Sequence, residues 1–568
     1  MARFCVTAAP AAAHLTAMGV TPLAPGLGLV PGEPGHADGP FEADGLRAVG
    51  EVTLHNRPEL HAALAADGAP AAPDVTDGEL LLRCWTRLGA EGVALAEGMF
   101  ALAVLDGDDV VLIRDHVGAR TLFYARADGT WAAATSLRAL RRWPALGTRV
   151  NLSAVRSFLT FAYLPGDETL LEGVREVLPG RVLRLRADGS ATETVFWEPQ
   201  ERIDDDGDPV QTLRTLLEEA TARRLPEGEG VAVLLSGGVD SSLVTALAAK
   251  LHGRPVHTYS ISFGDELPNE LGYSGLVAAH CQTRHRVLTV SGTAVAARLA
   301  DTAALLDSPV GDPLTVPNLL LAEAVAGDGF GVVLNGEGGD PVFGGPKNLP
   351  MLVQTMHARA PWSEDRATAY LRSYRKCWTD LPELLTAEAL SELETAPPPQ
   401  RFVEPYLTGQ GRMPHLLNQL LHCNLRTKGA HHILTKVERL TASQGLQGRA
   451  PLFDRRVIDH AFTVPPTLKL RGTAEKWVLK EAVRDLLPET VVDRPKSGMR
   501  VPVQQWLSGP LRELGTDLLL GRAARERGLF RADTVRTWLR GEGTLLPRQG
   551  GKLWLVLTLE LWLRAYDL

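Results

Sequence analysis

The run Leu235-Ser236-Gly237-Gly238-Val239-Asp240-Ser241-Ser242 gathers residue types that grip phosphate. It follows the apolar run GVAVLLS and opens the helical pattern LVTALAAKLHG. Glycines let backbone N–H groups approach an anion closely. A helix N-terminus adds unsatisfied donors and a partial positive charge. Ser236, Ser241 and Ser242 add hydroxyl donors. Asp240 would repel phosphate unless a cation came with it, so the loop points to a nucleotide carrying Mg2+. A GxxxxGK[ST] loop is missing, which disfavours kinases and ATPases of that type.

A second acidic segment, Asn335-Gly336-Glu337-Gly338-Gly339-Asp340, follows the apolar run GVVL. Ligands of open parallel sheets bind beyond the carboxyl ends of the strands. Both loops are expected there, with Asp240 and Asp340 sharing Mg2+ bound to the phosphates of ATP. The bland alternative, a glycine-rich turn with solvated acids, loses weight beside the first loop.

The elements that must hold these loops are legible as a pattern. From about residue 209 a helix over 209–224 precedes the strand GVAVLLS. The strands HTYSISF, RVLTV and GVVLN then alternate with helical stretches. That alternation predicts a doubly wound parallel sheet. Beyond residue 350 the chain reads as mainly helical. The first 200 residues read as β-rich, with short apolar runs at 100–105 and 110–113 bounded by Gly and Asp. A helix is expected over 76–88, with Leu80, Leu81, Cys84 and Trp85 on one face. The polar stretch QERIDDDGD at 200–208 marks a boundary between domains 1–205 and 206–568.

Composition narrows the class. The 568 residues are 45% hydrophobic and 22% charged, with a net charge of -8. That is a soluble globular composition without a basic footprint for nucleic acid. Five cysteines lack zinc-site spacing and read as reduced thiols of a cytoplasmic protein. No apolar run is long enough to span a membrane. Ten lysines stand against 49 arginines, with none before Lys250. A surviving lysine is therefore worth inspecting for a need of an ammonium.

These motifs resemble the asparagine synthetase superfamily over nearly the whole chain. DGELLLRCW, GMFALAVLD and IRDHVGARTLFYA look like its glutaminase-type domain. SGGVDSS looks like its pyrophosphate loop, and NGEGGDPVFGG like its second ATP-site segment. GRAPLFDRRVIDHA and EKWVLKEAVRDLLPETVVDRPKSG look like its synthetase domain. The resemblance implies an N-terminal glutaminase-like β-sandwich of the Ntn type. After it comes a parallel sheet of the adenine-nucleotide pyrophosphatase type with an added helical region. The nucleotide-contact set is expected to be Leu235, Ser236, Gly237, Gly238, Val239, Asp240, Ser241, Ser242, Ser262 and Gly336, with Asp240 and Asp340 on the metal. Lys496, in Arg494-Pro495-Lys496-Ser497-Gly498, matches the family lysine that steadies charge on the adenylate. Glu438 matches an acidic helix position that pairs with a tyrosine in β-lactam-forming relatives. That tyrosine is missing here, and an ion-paired core Glu438 is the competing reading. Glu337 or Glu438 is expected to accept the proton of the attacking amine.

The family glutaminase uses a cysteine at the mature N-terminus, whose own amine is the base. Residue 2 is Ala2 and the first cysteine is Cys5, so no glutaminase activity is expected. Asn56 and Arg57 read as remnants of the old pocket. Two branches without that cysteine close rings, making β-lactams or the macrolactam of lasso peptides. FLTFAYLPGDETLLEGVREVLPG and GEGGDPVFGGPKNLPML look most like the lasso peptide cyclases. That implies a precursor peptide as substrate, with a leader peptidase and a leader-recognition protein as partners. The rivals are an amide-forming relative acting on a small acid and a non-catalytic scaffold presenting a precursor.

Overall fold

Period-two alternation builds the first half of the chain. In the hairpin Gly98–Asp106 and Asp109–Arg114, Phe100, Leu102, Val104, Val111 and Ile113 enter one core, and Ala101, Ala103, Val110 and Leu112 enter another. A strand buried on both faces needs apolar residues at both parities, as this one has. The computed structural model describes residues 3–7, 15–16, 18–30, 35–203, 207–264, 270–345, 348–357, 365–374, 376–408, 413–495, 499–541 and 549–568.

The described residues form two units, 1–149 with 166–199 and 429–447, and 150–165 with 200–428 and 448–568. The change of unit near residue 200 coincides with the polar stretch at 200–208. The helix Leu152–Phe161 groups with the second unit and the helix Thr435–Ala442 with the first.

The first unit holds two six-stranded antiparallel sheets. One runs, in spatial order, Val174–Glu176, Phe123–Ala127, Thr130–Ala134, Arg3–Thr7, Leu27–Val30 and Thr21–Ala24. The other runs Ala191–Val195, Arg181–Leu185, Asp109–Arg114, Gly98–Asp106, Leu46–Leu54 and Asp38–Ala43. The helix Asp77–Leu95 covers the second sheet with Leu80, Leu81 and Cys84. Its cap is Thr76, whose side chain accepts the Glu79 N–H at 3.2 Å. It runs past the expected end at residue 88, because Gly89, at φ 61°, kinks the chain and lets a second helical stretch follow.

The second unit is a five-stranded sheet ordered Arg284–Thr289, Val256–Ser262, Val231–Leu234, Val332–Leu334 and Gln447–Arg449, the first four parallel. The helices Pro209–Ala222, Val239–Leu251, Leu271–His280, Gly292–Leu305 and Thr315–Gly327 alternate with these strands. Asp208 and Ser291 cap two of them. Val231–Leu234 is flanked by the next strand in sequence on one side and by the much later Val332–Leu334 on the other. That reversal is a topological switch point, and such folds place ligands beyond the strand carboxyl ends there. From residue 348 onward the second unit is mostly short helices and the long Gln549–Ala565. Among the described residues no helix is long and apolar enough to cross a membrane.

Candidate active site

The two glycine-rich loops meet at the carboxyl end of Val231–Leu234. Leu235 N–H donates to the Tyr259 carbonyl at 2.8 Å, and Ser260 Oγ donates back to the Leu235 carbonyl, so the strand end is held. The Ser236 and Ser241 hydroxyls lie 3.0 Å apart, and Ser236 N–H donates to Ser241 Oγ at 3.1 Å. Ser241 Oγ in turn donates to the Gly238 carbonyl at 3.2 Å. These bonds fix the turn before the helix Val239–Leu251 begins. Ser242 Oγ is buried, with no hydrogen-bond partner among the described residues. Ser262 closes its strand, and its hydroxyl accepts Gly264 N–H at 3.1 Å.

The second loop is pressed against the first. A β-carbon on Gly336 would lie 2.4 Å from Ser241 N, and one on Gly339 would lie 2.3 Å from Asp240 Oδ1. A side chain at 336 would clash with backbone, and one at 339 would displace the Asp240 carboxylate, so each glycine permits the close approach. Asn335 anchors the loop: its N–H and side-chain amide donate to the Arg449 carbonyl at 3.1 and 3.3 Å. Its Oδ1 accepts the Glu337 N–H at 3.1 Å, leaving Glu337 half-buried in the turn. Asp240 and Asp340 each stand in the first turn of a helix.

One ammonium joins them. Lys476 Nζ is 2.6 Å from Asp240 Oδ2 and 2.6 Å from Asp340 Oδ1, and its side chain is 1% exposed. The hairpin Leu470–Arg471 with Ala474–Glu475 leads into it, and Lys476 caps the helix Trp477–Ala482 in a left-handed conformation. Burial, and then the like charge of Lys476, lower the pKa of the neighbouring Lys480. Lys476 was reachable from sequence only through the scarcity of lysine, which applies to it as much as to Lys496.

A divalent cation fits this place. Two carboxylates already converge on one cation, and among the described residues no group of three or more metal-ligating side chains offers a full cage. Mg2+ commonly takes one or two carboxylates and completes its shell with water and substrate phosphate. Lys496 lies outside the described residues. Arg494 pairs with Glu270 and lies 4.1 Å over the Tyr273 ring.

Glu438 is placed elsewhere, in the first unit. Its Oε1 receives Arg120 Nη1 at 2.8 Å and Arg3 Nη2 at 3.3 Å, while Arg3 also binds Glu51 at 3.0 Å. Burial pushes the Glu438 carboxyl up against the pull of the two guanidiniums. Its surroundings are those of an ion-paired core residue.

The first unit also bears on glutamine use. Cys5 is the middle residue of the strand Arg3–Thr7, fully buried and in register with Gly28 and Ala134. Its nitrogen is a peptide N bonded to Phe4, so it lacks the free amine that activates an N-terminal thiol. Burial pushes Cys84, Cys377 and Cys423 up to about 12 and Cys281 to about 11, away from thiolate character. Asn56 serves the fold: its amide donates to the Leu95 carbonyl at 2.9 Å and accepts Glu97 N–H at 2.8 Å. Arg57 pairs with Asp77 and donates to the Val75 carbonyl at 2.7 Å. The purified chain is expected to produce no glutamate from glutamine, and Cys5→Ala to leave ATP-dependent turnover unchanged. Glutaminase activity abolished by Cys5→Ala would show that this thiol is a nucleophile after all.

Comparison with known proteins agrees with the two units. The asparagine synthase family profile matches residues 212–564, and the glutamine amidotransferase domain profile matches residues 39–197. A Mycobacterium bovis protein named as a candidate glutamine-hydrolysing asparagine synthetase is 30% identical, covering 83% of this chain and 77% of its own. Asparagine synthetase 1 of Bacillus subtilis is 23% identical over 90% of this chain and 84% of its own. The carboxyethyl-arginine β-lactam synthase of Streptomyces clavuligerus is 30% identical over 78% of this chain and 72% of its own. The chain thus belongs to the asparagine synthase family, ATP-dependent ligases that form carbon–nitrogen bonds with release of AMP.

Proposed function

We propose that this chain closes a macrolactam ring in a lasso peptide precursor. A side-chain carboxylate of Asp or Glu in the core peptide attacks the α-phosphate of ATP. Pyrophosphate leaves and an acyl-adenylate forms. The peptide's N-terminal amine then attacks the acyl carbon, AMP leaves, and the amide closes. The observation that carries the adenylation half is the convergence of Asp240, Asp340 and Lys476 at the carboxyl end of the parallel sheet.

In this reading the Ser236–Ser242 turn holds the phosphates, with Leu235, Ser262 and Gly336 lining the nucleotide. Asp240 and Asp340 hold Mg2+, which when bound neutralises and orients the phosphates. Lys496 steadies charge at the acyl phosphate. Glu337, half-buried beside the turn, takes the proton of the amine. Little basicity is needed, since an α-amine has a pKa of roughly 7.7–8.0. Glu438, held by Arg3 and Arg120, keeps the first unit in register. The peptide choice rests on the resemblance of the segments 158–180 and 336–352 to lasso peptide cyclases, and in this reading an amine within the substrate is the nucleophile. A leader peptidase and a leader-recognition protein are the proposed partners.

A second reading has its own support in the likeness to the β-lactam synthase and the asparagine synthetases: activation of a small acid. Pyrophosphate release separates the two. Release dependent on a leader-free precursor peptide, with a product lighter by one water, is expected. Release with aspartate and ammonia, or with a small amino-diacid alone, would move the assignment to the second reading. ATP binding without release under any of these conditions would favour a precursor-presenting scaffold.

A further inference from the structure

The ammonium of Lys476 occupies the place where two carboxylates converge. It reaches both at 2.6 Å with its side chain 1% exposed, while the Asp240 and Asp340 side chains are 15% and 39% exposed. Of the three, the lysine is the most buried and Asp340 the most exposed. The backbone is committed to this arrangement: Lys476 stands at φ 55°, a left-handed conformation disfavoured for any residue with a β-carbon. Gly339 allows the close approach of the Asp240 carboxylate, where a β-carbon would be 2.3 Å away.

Charge decides what this arrangement does. The two carboxylates and the ammonium carry one net negative charge. Adding a divalent ion while the ammonium stays would turn the net charge of these three groups from negative to positive, with two cations crowded between the same oxygens. Neither cation is well served until polyphosphate brings several negative charges. A lysine suits a handover of this kind, because its compact ammonium sits on a flexible stem and can turn from carboxylate to phosphate.

We infer that Lys476 is a resident counter-cation. It keeps the metal position closed to a free divalent ion and releases it only when nucleotide phosphates arrive to receive the ammonium. The inference rests on the reading of Asp240 and Asp340 as metal ligands. It makes entry ordered, with metal and nucleotide arriving together, and it assigns Lys476 a positioning role.

Mn2+ titrated into the full chain without nucleotide, followed by electron paramagnetic resonance, tests this apart from turnover. Wild type is expected to show no Mn2+ site that Asp240→Asn removes. Lys476→Met is expected to raise affinity for free Mn2+ about tenfold or more, the scale of a typical coupling between sites. Adding Asp240→Asn to that variant should abolish the gain. Lys476→Arg, which keeps the charge, should bind Mn2+ as weakly as wild type. If Lys476→Met proves unfolded by circular dichroism, the wild-type and Asp240→Asn pair decides alone. A wild-type site present without nucleotide and lost in Asp240→Asn overturns the inference, as does a folded Lys476→Met with no gain. Failure of the underlying metal reading looks different: Mn2+ bound with a non-hydrolysable ATP analogue would be unaffected by Asp240→Asn and Asp340→Asn.

Discussion

Asp240→Ala and Asp340→Ala should each lower ATP-dependent pyrophosphate release about a thousandfold, to near background. A metal clamp contributes several kcal/mol of transition-state charge stabilisation, and each 1.36 kcal/mol is a factor of ten in rate. The two residues enter from different loops, at the first turns of the helices Val239–Leu251 and Gly339–Phe343, yet meet on one Lys476 nitrogen. Losing either one therefore breaks the same site. Each change also leaves Lys476, a buried cation, with one fewer of these two carboxylate partners, so some stability should be lost alongside activity. The isosteric Asp240→Asn and Asp340→Asn separate the effects. They keep the shape and a hydrogen-bond acceptor but remove the charge a divalent ion needs. Pyrophosphate release measured with saturating acceptor and Mg2+, together with thermal unfolding of the same samples, gives both quantities. Asn variants that melt like wild type but turn over near background support metal binding. Near-wild-type release from either Asn variant would remove that residue from the metal site.

What sequence disclosed about this molecule followed the range of the interaction involved. The hairpin over 98–114 was legible because its alternation is local: odd and even residues enter two cores, and both parities are apolar. The place where the two loops meet was legible because each glycine-rich loop directly follows an apolar strand, and strand order in such sheets obeys few rules. The extension of the helix to Leu95 was not, since Gly89 reads as an ending until its φ is known. Lys476 was hidden for a different reason. Its partner Asp240 lies 236 residues away, and the approach depends on a two-residue-per-strand hairpin and one left-handed residue. Glu438 shows the same limit from the other side. The sequence left it between a catalytic candidate and an ion-paired core residue, and could not name its partners Arg3 and Arg120, 435 and 318 residues distant. Only the folded chain states such partnerships.

Lys496→Ala should slow turnover about 10²–10³-fold, the usual cost of losing one donor aimed at charge developing in a transition state. Binding of the acceptor substrate should change far less, because an interaction made mainly in the transition state lowers the barrier without tightening the ground state. The expectation rests on the position of Lys496 in Arg494-Pro495-Lys496-Ser497-Gly498 and on the resemblance of that stretch to its family. The structure adds that Arg494, two residues earlier, is pinned by Glu270 and Tyr273, beside the helix Leu271–His280. In the second unit that helix packs next to the Ser236–Ser242 turn, where a β-carbon on Gly237 would lie 2.7 Å from Ser274 N. Lys496→Arg should recover little, since a planar guanidinium demands a different space and hydrogen-bond geometry from an ammonium. Single-turnover measurement of acyl-adenylate formation and of amide product separates the two half-reactions. A loss confined to adenylate formation would place the ammonium at the phosphate, and a loss in both would place it at the carbonyl as well. An Ala variant with both rates intact and only a weaker apparent substrate affinity would make Lys496 a docking contact. Charge stabilisation at the acyl phosphate would then fall to Lys476, the one lysine whose nitrogen touches both acidic loops among the described residues.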